Sequence, residues 1–173
     1  MHQEESCNCG QDHSHSHTHD GGCDCGCGHA HAEVAPVDDL SILQQNMLFG
    51  LYERSFLPVA RFTMSSTKDD ALYAVALAPV YLASSEDTME QVKALGGELD
   101  ALMQGGFVTF DYDIPLSGYA YQEYENAALY RYFTETVREG SEKPGALFDI
   151  ANIEKGSMAL TDAGRKRVEA MLG

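Results

Sequence analysis

Beyond residue 31 this chain has no cysteine and no histidine, and it has no tryptophan anywhere. A stretch of 142 residues without thiol or imidazole excludes a Cys/His nucleophile, a Ser-His-Asp triad or a histidine-bound zinc hydrolase site within it. Phosphate-loop and dinucleotide fingerprints are also missing, so the sequence predicts a protein that is not an enzyme. Basic side chains are scarce: 11 Lys and Arg stand against 27 Asp and Glu, for a formal charge of -16. Such a chain repels nucleic acid and favours cations. Long hydrophobic runs are lacking as well. The longest, residues 71–83, is 13 residues with Pro79 inside it, against the roughly 17 to 25 that span a bilayer. Met1-His2-Gln3-Glu4-Glu5 has neither a basic nor an apolar leader region, which predicts no membrane association, no export and a cytoplasmic location. There, the five cysteines are thiols open to metal and not disulfides.

What the rest of the chain lacks is concentrated at its start. All five cysteines (Cys7, Cys9, Cys23, Cys25, Cys27) and all seven histidines (His2, His13, His15, His17, His19, His29, His31) fall within residues 1–31. Random placement would do this with a probability on the order of 10⁻⁹. Residues 1–33 also carry six acids, no Lys or Arg, and almost no large apolar side chain. Nothing there offsets the entropy of ordering, so residues 1–36 are predicted to be a disordered metal-binding tail and linker, with the boundary near Pro36. Residues 37–173 have the composition of a folded domain.

Within that domain, Asp38 or Asp39 is expected to cap a helix with Leu40, Leu43, Met47, Leu48 and Leu51 inward, ending before Pro58. The 71–83 run reads as a buried helix interrupted at Pro79, and Ser84 or Ser85 as the start of another that ends at Gly105-Gly106. Residues 107–114 alternate as a half-buried strand, and 123–138 have helical spacing. Residues 146–153 and 158–160 read as a strand pair about a turn at Glu154-Lys155-Gly156-Ser157. Thr161 or Asp162 caps a last helix with Val168, Met171 and Leu172 inward. The expected class is α+β, mostly helical with a small antiparallel sheet.

Two passages carry a resemblance. Leu99-Asp100-Ala101-Leu102-Met103-Gln104-Gly105-Gly106-Phe107-Val108 looks like a recognition helix entering a first wing strand, and Met158-Ala159-Leu160-Thr161-Asp162-Ala163-Gly164-Arg165 like a final strand entering a last helix. Together they resemble the winged-helix domain of small bacterial regulators over roughly residues 39–172, departing from it by a whole helix, 123–138, in place of a wing loop. The resemblance implies DNA binding. Charge opposes it: residues 34–173 hold 21 acidic and 11 basic side chains, and the recognition-like helix has Glu86, Asp87, Glu90, Glu98 and Asp100 against Lys93. Arg165-Lys166-Arg167 with Lys155 is the one basic cluster, so a domain that binds protein, or itself, is preferred to one that binds DNA.

The tail has its own chemistry. Cys7-Asn8-Cys9 and Cys23-Asp24-Cys25-Gly26-Cys27 present thiols at alternate positions, with glycines that let the backbone curl around one ion. His13, His15, His17, His19, His29 and His31, spaced by small residues, add imidazoles able to complete many coordination spheres. With His2 the Cys and His side chains number twelve, which at four per tetrahedral ion allow about three metals. Thiolate with imidazole favours zinc first, with nickel or copper next. The spacings are not those of a closed structural finger, which predicts shallow, exchangeable sites. A purification tag would be an unbroken histidine run, whereas here histidine alternates with Ser and Thr. In composition the tail resembles the histidine-rich segments of nickel-enzyme accessory proteins and zinc transporters, which implies metal handling alone.

Six tyrosines between Tyr112 and Tyr132 are expected to pack in the core or an interface, not to stack on bases. Asp111 and Asp113, with Glu123 and Glu125 nearby, are expected to be the wet face of an edge strand and not an acid/base pair. The sequence therefore predicts a metal-capture, buffering or delivery protein, with a metal-responsive transcriptional regulator as the alternative.

Overall fold

Ser41 and Gln44 exchange side-chain and backbone hydrogen bonds, a reciprocal cap that starts α1 (Ile42–Arg54). The computed structural model describes residues 40–173. Asp38 and Asp39, the Pro36 boundary and the tail lie outside the described residues. Met47, Leu48 and Leu51 are buried as their spacing predicts, whereas Leu43 is 40% exposed, and α1 runs directly into a strand, β1 (Phe56–Ser65), where the sequence predicts none. Pro58 is tolerated in it because one neighbouring strand, residues 73–80, joins β1 only from Ala60 onward, so at Pro58 only the strand of residues 150–160 lies alongside.

The expected helix at 71–83 is instead the strand β2 (Tyr73–Val80). The sheet order β2-β1-β4-β3, with β3 at Val108–Asp111 and β4 at Ile150–Leu160, places it at an edge, the position where a sheet accepts a proline such as Pro79. Thr88 and Gln91 form a second reciprocal cap that starts α2 (Met89–Gln104), later than Ser84 or Ser85, because Asp87 turns back to accept from the N–H groups of Ala83 and Ser84. Gly106, with φ of 74°, ends α2 and lets Phe107 N–H reach Leu102 O at 2.9 Å. β3 (Val108–Asp111) is shorter than expected, since the Asp111 carboxylate accepts from the N–H groups of Asp113 and Ile114 and turns the chain.

The 123–138 helix is two helices, α3 (Gln122–Glu125) and α4 (Ala128–Ser141), separated at Ala127. Tyr121 and Tyr124 anchor the break: Tyr121 Oη donates to Gly156 O at 2.5 Å, and Tyr124 Oη to Pro58 O at 3.1 Å. The expected turn at 154–157 does not exist, and β4 (Ile150–Leu160) passes through it unbroken, antiparallel to all ten residues of β1. Gly156 marks a close approach and not a turn, because a Cβ there would lie 2.8 Å from Tyr112 Cα. Thr161 caps α5 (Asp162–Leu172) as predicted, although Leu172 is exposed. Gly164 lets the first turn of α5 rest on Phe107 O, which also accepts from Thr161 N–H at 3.0 Å.

The described residues thus form an α+β domain of five helices and a four-stranded antiparallel sheet. Successive residues of β1 point to opposite faces and build two cores. Leu57 and Val59 join Met158 and apolar residues of α1, α2 and α5 such as Leu48, Leu99 and Val168. Ala60 and Phe62 join Tyr121, Tyr124 and Leu129 with Val80 and Val92. No described helix is long and apolar enough to cross a membrane.

Candidate metal ligands and the polar cluster of the sheet

The eleven ligands expected to carry metal, Cys7, Cys9, His13, His15, His17, His19, Cys23, Cys25, Cys27, His29 and His31, lie outside the described residues. Among the described residues no cluster of His, Cys, Asp or Glu could hold an ion. The acids singled out in the domain have other work. Asp111 holds the turn after β3, and Glu125 pairs with Lys155 at 2.6 Å. The tyrosines pack as expected: Tyr119, Tyr121 and Tyr124 contact one another edge-on or tilted, Tyr130 and Phe133 flank Phe62, and Tyr132 alone of the six is mostly exposed. The basic cluster of α5 is divided, since Arg167 is buried with its guanidinium over the Phe107 ring.

One polar constellation was not legible in the sequence, because sheet register alone assembles it. Arg61 on β1 lies opposite Glu154 on β4, and Arg61 Nε donates to Glu154 Oε2 at 2.6 Å. Tyr73 on β2 donates to the other carboxylate oxygen at 2.8 Å, while the Arg61 guanidinium sits 4.6 Å from the centre of the Tyr112 ring. Burial pushes Glu154 up, but the hydrogen bonds from Arg61 and Tyr73 and the Arg61 charge outweigh it and hold the carboxylate below its ordinary range. Burial also pushes the Tyr112 phenol up to about 12, against the pull of Arg61. With both oxygens of Glu154 accepting and its charge matched by Arg61, the group is a poor proton acceptor and serves to join three strands.

A pH dependence follows. A carboxylate depressed in the folded state binds fewer protons there than in the unfolded chain, so its stabilisation is complete above the ordinary Glu value and is lost as pH falls through the depressed one. Asp149, held down by hydrogen bonds from the Thr67 hydroxyl and N–H, acts in the same direction. Glu154→Gln is expected to lower stability by roughly 1 kcal/mol at neutral pH, since the pair is partly exposed. Urea unfolding of both proteins at neutral and acid pH should show this gap closing on acidification; a gap that widened would refute the assignment.

An apolar cleft of about 410 Å³ lies on the α4 side of the sheet, lined by residues including Met64, Ala76, Phe133, Val137 and Leu147. No family model and no curated protein matches the chain. Among solved structures, the chain is similar to an uncharacterized protein from the hydrocarbon-degrading marine bacterium Alcanivorax borkumensis SK2, at 12% identity and a TM-score of 0.43, covering 78% of this chain and 88% of that one.

Proposed function

We propose that the chain is a cytoplasmic, non-enzymatic accessory protein that captures, buffers or delivers a transition metal, zinc first and nickel or copper next. Its first 31 residues hold the ion, and its folded domain docks a protein partner or a second copy. The observation that carries this reading is the segregation of every cysteine and histidine of the chain into residues 1–31. Metal is cargo in this account. Ligands that alternate with Ser, Thr, Gly and Asp suit exchange better than a rigid cage does. Competition against a chromophoric zinc chelator tests it: the reduced protein should withdraw zinc, and a full-length variant with all twelve Cys and His side chains replaced should withdraw none.

A second reading, a metal-responsive winged-helix regulator, is favoured by one feature. α2 passes through Gly105-Gly106 into β3, β3 pairs antiparallel with β4, and β4 passes into α5, the two transitions on which the winged-helix resemblance rests. The acids of α2, with Lys93 as its lone base, and the burial of Arg167 weigh against phosphate contact. A gel-shift screen with and without zinc separates the readings, since operator-selective binding in either state would favour the regulator.

A further inference from the structure

The two edges of the sheet are built differently. β3 offers four residues and ends at Asp111, whose carboxylate folds back onto the following turn. β2 offers eight residues, none charged, and has no strand on its outer side among the described residues. An open apolar edge presents unpaired N–H and C=O groups and is a template for another strand. The ladder to β1 is regular from Ser65↔Tyr73 to Thr63↔Val75 and irregular beyond, so the flat part of the edge is centred on Ala74. Tyr73 and Val75, 49% and 47% exposed, share one face there.

We propose that this edge pairs with β2 of a second copy of the chain, antiparallel about Ala74, joining two sheets into one. Self-complementarity and charge argue for a second copy over a different partner. A two-fold axis at Ala74 sets Tyr73 opposite Val75 of the second copy, and Val75 opposite its Tyr73. An aromatic therefore meets a β-branched side chain twice on the same face. A chain of charge -16 meets itself at least electrostatic cost where its strand carries no charged side chain. The strand meets this condition, and the same register carries Asp69 and Asp70 past Pro79 and Ala78 of the second copy and not past each other. On the other face, the uncharged cleft reaches β2 at Ala76, and Leu147 on its rim is 60% exposed.

This deepens the dimerising arm of the proposed function and does not depend on metal capture. The test uses the full-length reduced protein in chelator, so a negative result leaves zinc binding untouched. Sedimentation equilibrium over a wide concentration range should give the mass of two chains. Val75→Lys should give one chain at the same concentrations, because two cations then crowd the joined edge, whereas Thr109→Lys on the β3 edge should remain paired. A wild-type protein that stays single throughout, or a Val75→Lys protein that still pairs, overturns the proposal. If circular dichroism shows Val75→Lys to be unfolded, amide exchange on the wild type decides. Slower exchange of residues 72–78 at high than at low protein concentration supports the joined edge, and exchange independent of concentration overturns it.

Discussion

Replacing Cys23, Cys25 and Cys27 together with serine is expected to abolish the tightest zinc equivalent and leave only weak binding. Three thiolates can supply most of a tetrahedral coordination sphere, and the proposed capture of metal by residues 1–31 rests first on this cluster. Replacing His13, His15, His17, His19, His29 and His31 with alanine should do the reverse, removing the weaker equivalents and keeping the tight one. Protons compete for both classes, near pH 6.5 for imidazole and near 8.5 for thiol, so acidification should weaken every site. Calorimetric titration at neutral pH under reducing conditions measures the outcome. Equal affinities in the two variants would end the two-class description.

Phe62→Ala is expected to cost about 3–5 kcal/mol, a large share of the roughly 5–15 kcal/mol that holds a domain together. Phe62 is 1% exposed at the centre of β1. Its ring stacks on Phe133 at 5.3 Å and tilts against Tyr130 at 5.1 Å, so it fastens α4 to the sheet. Truncation removes the transferred surface and leaves a cavity that two bulky aromatic neighbours cannot readily fill. Phe56→Ala, in the same strand but 53% exposed, should cost much less. Denaturant unfolding of both variants measures the difference; similar losses would show that α4 is not held through Phe62.

The helices were legible where sequence spacing and capping chemistry agreed. α1, α2 and α5 stand near their expected places, with Gly105-Gly106 and Thr161 as their punctuation. The sheet was only half legible, for two physical reasons. Residues 71–83 form a run too uniformly apolar for periodicity to separate a strand from a buried helix, and tertiary pairing with β1 decided it. Gly156 looked like a turn because glycine serves both turns and close backbone approaches, and the crossing segment at Tyr112 that requires it lies far off in sequence. The Arg61, Tyr73, Tyr112 and Glu154 cluster had no local signal at all, since each residue comes from a different segment. The candidate metal ligands are the opposite case. They lie outside the described residues, and composition and spacing alone carry the proposal made for them.

If the first 31 residues and not the domain hold the metal, the zinc bound per chain depends on those residues alone, and counting it decides between the two. Equilibrium dialysis of the reduced full chain at neutral pH should find about one to three zinc ions per chain, the number its ligands allow at four per tetrahedral site. A chain shortened to begin at Val34 should keep its fold and bind essentially none. Retention of the full stoichiometry by the shortened chain would place the metal in the domain instead.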